Sequence, residues 1–236
     1  MTTTLTFEQI VEDYSQTLGP KLGRAYAHLL SDFSNTLLSW RTYRQLFGTN
    51  RKRVELLNRA SGPVAVVIER ALFEGVVLSL CRIADPASSG RGGVRTNLTL
   101  RRIAEDPNAP AELHGLIDAL DQEIAPLRQM RDKAIAHRDL PIALKAGRLD
   151  GVSRAQIETV IARVKACFGE VDGKLLNTHR GWDGLEWDIA EHLFLETLFL
   201  GVQAREERPA TEVQRRIDGA PHDPLPDWLT NPARED

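Results

Sequence analysis

Leu22, Tyr26, Leu29, Leu30, Phe33, Leu37, Trp40 and Tyr43 recur every three or four positions, a spacing that forms one stripe on an α-helix and would scatter over both faces of a strand. A helix of about six turns with such a stripe has to cover it with other elements. The rest of the chain repeats this periodicity, and runs of alternating β-branched residues are absent, so the expected fold class is all-α. Local signals mark where the helices begin and end. Thr6 and Gln9 have the form of a capping box, and Gly19-Pro20 closes a first helix and opens the second. The second helix runs to about Phe47, with Gly48 placed to terminate it. Arg51 to Arg59 start a third. Pro63 either kinks it or opens a fresh segment through Leu72, Val76, Leu80 and Ile83, and Asp85-Pro86 ends it.

Ala87 to Thr96 holds Ser-Ser-Gly and Gly-Gly and is the clearest loop, a candidate flap; Asn97 or Thr99 then caps a short helix ending near Asp106. Glu112 opens a helix with Leu113, Leu116, Ile117, Leu120, Ile124 and Leu127 on one face. Pro126 is placed to break it, the pattern resumes through Met130 and Ile135, and Pro141 stops it. Ser153 to Asn177 and Asp183 to Glu206 read as two further helices, and no internal repeat is visible. Pro209, Pro221, Pro224, Pro226 and Pro232 argue against a continuous helix beyond. The expected organisation is an N-terminal helix over 1–19, a helical bundle over 20–206 with additional C-terminal helices, and an extended or disordered Pro-rich tail over 207–236.

The 236 residues are 42% hydrophobic and 27% charged, the balance of a globular chain. His192 to Val202 is short and interrupted by Glu196, so it does not suit a membrane span. The N-terminal residues lack the basic start and apolar run of a secretion signal, which points to the cytoplasm and to no membrane partner. Cys81 and Cys167 sit in apolar helical patterns and read as packing residues. The net charge of −3 excludes a generally basic coat, yet the acidic excess lies in residues 151–236. Arg51-Lys52-Arg53 and Arg101-Arg102 read as solvated helix faces, while Arg128, Arg131, Lys133 and Arg138 form a local cationic cluster.

Within that cluster lies Arg131-Asp132-Lys133-Ala134-Ile135-Ala136-His137. Arginine is a permanent cation suited to phosphate, and histidine exchanges a proton near neutral pH. On one uninterrupted helix, positions six apart are rotated by roughly 240° and do not share a face. Either a distortion brings Arg131 and His137 together, or each meets groups from another copy of the chain, as a two-fold homodimer supplies. The spacing alone also allows a structural role, with Arg131 paired to Asp132 or Glu123 and His137 an ordinary histidine near a helix C-terminus.

Five segments together carry more information: Trp40-x-x-Tyr43-Arg44-Gln45-Leu46-Phe47, Leu56-Leu57-Asn58, Leu80-Cys81-Arg82-Ile83-Ala84-Asp85-Pro86, Asn97-Leu98-Thr99-Leu100, and Arg131 through Asp139. In order and separation they resemble the AbiU-type abortive-infection branch of the HEPN superfamily, over roughly residues 20–205. The resemblance implies an all-α HEPN-like bundle, commonly a homodimer, and in many members a metal-independent RNA endonuclease of toxin–antitoxin or phage-defence systems. It places Arg131, Asp132 and His137 at the signature Arg, polar residue and His. It implies that Arg131 holds the scissile phosphate, that Asp132 orients Arg131 or His137, and that His137 is the general acid or base, leaving a 2′,3′-cyclic phosphate and sparing DNA. RNA and an antitoxin protein are the implied partners. Some HEPN toxins carry a tyrosine three residues after the histidine as a modification site; Leu140 stands there, so that form of control is not expected.

Lys133, Arg138 and Arg128 are candidates for further phosphate contacts, and Arg82 and Asp85, at a helix end, for a buried pair supporting the site. His28, His114, His179, His192 and His222 have no ligand-like spacing, so no metal and no cofactor is expected. Trp182 and Trp187 read as core or interface residues. Two other readings compete with a ribonuclease: a non-catalytic HEPN dimer that binds RNA, nucleotide or a protein partner, and a generic helical interaction protein whose Arg and His are structural.

Overall fold

The computed structural model describes residues 5–90, 92–135, 151–182 and 189–217. The fold is all-α. Helix α1 (Phe7–Leu18) opens on the Thr6 and Gln9 capping box, and α2 (Pro20–Tyr43) follows directly across Gly19, whose φ of 85° is open to glycine. The two helices approach so closely that a Cβ on Gly23 would run into the Tyr14 carbonyl. A π-helical turn, Arg44–Gly48, prolongs α2 to the predicted terminator.

Helix α3 (Arg51–Ala84) is broken at Ser61, which is extended at φ −166° and ψ 97°, two residues before Pro63. Pro63 has no N–H for the Arg59 carbonyl one turn back. The guanidinium of Arg205 takes that carbonyl, and donates to the neighbouring Ala60 carbonyl at 3.0 Å. Helix α3 ends at Asp85 because Pro86 disfavours a helical conformation in the residue before it. The segment expected as a plain loop instead holds a short antiparallel hairpin, β1 (Ser88–Ser89) against β2 (Arg95–Thr96). Gly90, Gly92 and Gly93 turn it at positive φ. Asn97 staples it to the end of α3, its backbone N–H bonding the Ala87 carbonyl at 2.8 Å and its side chain the Pro86 carbonyl at 2.9 Å.

Thr99 rather than Asn97 caps α4 (Leu100–Ala104). Then come α5 (Glu112–Glu123) and α6 (Ala125–Met130), separated where Pro126 was expected to break the helix. Helix α7 (Arg154–Leu175) opens on a Ser153 and Gln156 capping box, and α8 spans Ile189–Ile217. Helix α8 corrects the predicted extended tail over 207–217: the helix continues through Pro209, because helix-forming residues flank the proline and a single missing N–H kinks rather than ends such a stretch. The rest of the expected tail, 218–236, lies outside the described residues.

Packing follows the stripes. Helix α1 lies on α2, α2 on α3, α5 on α7, and α8 along α3. Tyr26 and Phe33 of α2 are fully buried against Phe168 of α7, and half-buried Trp182 closes edge-on over Phe33. Cys81 and Cys167 are free, fully buried thiols, as their apolar surroundings predict. Among the described residues no helix is long and apolar enough to cross a membrane.

Candidate active site

The C-terminus of α3 carries last-turn carbonyls without helical partners and the negative end of the helix dipole. Asp85 adds a carboxylate there, an unfavourable place for one. Two arginines from the segment following α5 answer both problems. Arg128 donates to the Ala84 carbonyl at 2.6 Å and to Asp121 at 3.0 Å. Arg131 reaches both oxygens of Asp85 from one nitrogen, Nη1 to Oδ1 at 2.9 Å and to Oδ2 at 3.0 Å. Its Nε donates to Asp132 at 2.7 Å. These bonds, Asp132 first, hold the guanidinium further up in pKa than a free arginine and outweigh the opposing effect of burial. Arg131 is therefore a fixed cation whose Nη2 has no partner among the described residues.

Arg131 sits where α6 gives way to a π-helical turn, Arg131–Ile135. Such wide turns are found preferentially at functional sites. Met130 and Ile135 pack on the core on either side of it. Over these residues the motif thus departs from a plain α-helix, a distortion of the kind that the sequence left open. His137 and Arg138 lie outside the described residues, as do Leu140, Trp187 and the predicted helix start at Asp183.

Arg131 opens onto a cleft of about 520 Å³ bounded by α2, the end of α3 and the hairpin, with Asp32, Arg82, Asp85, Thr96 and Leu98 among its walls. The proposed Arg82–Asp85 pair is corrected. Arg82 leans to Asp32 at 3.3 Å across two exposed side chains, and Asp85 belongs to Arg131. The two residues are three apart on a helix that ends between them, so they diverge and each finds a different neighbour. Glu123, the alternative partner considered for Arg131, is paired with Arg163 at 2.8 Å. Lys133 is exposed on the π-turn. Arg51 and Arg102 are paired on solvated faces, with Glu55 and Glu105, whereas Arg101 departs from that expectation: it pairs, part-buried, with the Asp121 that also holds Arg128.

Asp32 and the hairpin wall escaped the sequence reading. Asp32 looks like any charge on the polar side of an amphipathic helix, and the hairpin rests on two residue pairs and three glycines rather than on strand-forming composition. In charge, Arg82 and Arg131 face Asp32, Asp85 and Asp132, so this part of the site carries one more carboxylate than guanidinium. Among the described residues no group of three or more His, Cys, Asp and Glu side chains could hold a metal ion. Cys81 lies beneath Arg131 and Asp85; burial pushes its thiol up to about 12, which makes it an inert packing group rather than a nucleophile.

Compared with known proteins, the chain matches the AbiU2 family of HEPN domains over residues 19–193. It belongs to that family, an abortive-infection type of HEPN protein, and its all-α architecture agrees. No curated protein and no solved structure matches it.

Proposed function

We propose that the protein is a metal-independent RNA endonuclease of the toxin or phage-defence kind, working in the cytoplasm as a homodimer. The observation that carries this reading is the Arg131 guanidinium, clamped by Asp85 and Asp132 with Nη2 directed to no other described group, at the edge of an open cleft and the start of the Arg–His motif. A pre-positioned guanidinium stabilises charge that grows on phosphate oxygens. In the reaction, the 2′-oxygen attacks phosphorus while His137 takes its proton. The bond to the 5′-oxygen breaks, that oxygen takes a proton from His137, either the one that has just accepted it or the same residue of a second copy, and a 2′,3′-cyclic phosphate remains. DNA, lacking the 2′-hydroxyl, is not cut. The excess of carboxylate around Arg131 argues that further cations complete the phosphate site: Lys133, Arg138 and the same groups of a second copy.

The same pairing favours a second reading, in which Arg131 is a strut and the protein is a non-catalytic HEPN dimer binding RNA, nucleotide or a protein partner such as an antitoxin. Incubating the purified chain with structured RNA and tRNA in EDTA separates them. Cutting to cyclic-phosphate ends that disappears in Arg131→Ala and His137→Ala supports the nuclease. Absence of cutting by a folded protein across several RNAs supports the binding module.

A further inference from the structure

The cleft holds two arginines in different states. Arg131 is three-quarters buried and held by three hydrogen bonds. Arg82 is 61% exposed and makes a single 3.3 Å contact to an Asp32 that is itself 40% exposed. An exposed pair of that length holds its arginine weakly, so most of the donors of Arg82 are available to an incoming anion. Arg82 lines the same cleft as Arg131 and the Asp85 that anchors it. Beside them Leu98, 37% exposed, and Pro86 add apolar surface to a cleft whose other walls are polar or charged. Guanidinium, apolar surface and guanidinium are what phosphate, nucleoside and phosphate require.

We propose that Arg82 and Leu98 form a second subsite of this cleft, which takes the phosphate and nucleoside adjoining the phosphate on Arg131, so that the protein grips a single RNA strand over two successive phosphates. This rests on the RNA reading of the site but not on cleavage. Asp32 acts here as a competitor: its carboxylate draws Arg82 aside and repels the strand, and a phosphate displaces it. Among the described residues Arg82 and Arg131 are the arginines that line the cleft, and the exposed Arg102, paired with Glu105, lies outside it.

The test is fluorescence anisotropy of the full-length protein with a labelled 2′-O-methyl oligoribonucleotide, which cannot be cut, over a salt series. Arg82→Ala is expected to weaken binding about tenfold and to flatten the log–log salt dependence by about 0.7, the loss of one single-strand phosphate contact. Asp32→Asn is expected to tighten binding, an effect that loss of fold does not produce. Leu98→Asp should weaken it, and Arg102→Ala should leave it unchanged. Binding that depends on Arg131 but is indifferent to Arg82 and Asp32 overturns the subsite and leaves the RNA reading standing. No binding by the unsubstituted protein removes both.

Discussion

Arg131 Nη1 stands 2.9 and 3.0 Å from the two carboxylate oxygens of Asp85, while the Nε of the same guanidinium stands 2.7 Å from Asp132. The two carboxylates are not equivalent. Asp85 closes the end of a helix and is 29% exposed; Asp132 is Arg131's chain neighbour and 58% exposed. The Asp132 contact acts most strongly on the charge, yet Asp132 is an exposed chain neighbour that moves with Arg131, whereas the half-buried two-oxygen contact to Asp85 fixes a direction. On the proposed ribonuclease reading, Asp85→Asn is therefore expected to lower the rate of RNA cleavage about a hundredfold, the effect of misplacing a group at the reacting phosphate by an ångström, and to lower stability by about 1–3 kcal/mol. Asp132→Asn should stay within about fivefold. Single-turnover cleavage and urea denaturation of the two variants check this, and equal losses contradict it.

A second cluster is expected to matter for stability alone. Asp172 is fully buried in α7 and takes hydrogen bonds from Tyr26 and from Arg180, whose Nε lies 2.9 Å and Nη2 3.1 Å from its oxygens. Arg180 also donates to Tyr14 at 2.9 Å. Removing Arg180 leaves the buried Asp172 carboxylate with the Tyr26 hydroxyl and no opposing charge, so Arg180→Ala should cost about 3–5 kcal/mol. Replacing the charge alone in Asp172→Asn should cost nearly as much. Denaturant midpoints measure it; cleavage per folded molecule should not change.

Periodicity and capping made the helices legible, because Thr6, Gly19-Pro20, Asp85-Pro86 and Ser153 act within a few residues of themselves. Arg131 and Asp132 were legible through the motif. The partners were not. Asp85 meets Arg131 across 46 residues, Asp32 meets Arg82 across 50, and Tyr26 meets Asp172 across 146. Nothing in the local pattern of a charged residue on a helix says which distant charge it faces. The Arg82–Asp85 pair failed for that reason: adjacency along a helix was taken for contact, and the helix ended between them. Helix α8 outran the prediction at Pro209 because a proline removes one hydrogen bond from an element that many others hold.

Arg205 should be a local fastener. It takes the Arg59 carbonyl that Pro63 leaves without a helical donor, together with the neighbouring Ala60 carbonyl, and thereby ties α8 to α3. Water reaches this exposed site, so Arg205→Ala is expected to cost only about 1 kcal/mol. Its signature is spatial: faster amide hydrogen exchange along Leu195–Val202 with the α2 and α7 amides unaffected. Acceleration throughout the protein would contradict a local role.

Alkali should destabilise the protein in a defined window. Burial pushes the thiols of Cys81 and Cys167 up to about 12, and burial, then Asp172, raises the hydroxyl of Tyr26 above its ordinary 10. All three groups keep their protons in the folded state after the unfolded chain has begun to lose them. The unfolded state then binds fewer protons, so stability is intact below pH 9 and falls as pH rises toward 12, by about 1.4 kcal/mol per pH unit for each thiol. Thermal midpoints between pH 8 and 10.5 should decline from about pH 9. In the Cys81→Ala, Cys167→Ala double variant the decline should begin only beyond pH 10, where Tyr26 remains. A double variant that keeps the slope between pH 9 and 10 assigns the alkaline loss to groups other than the two thiols.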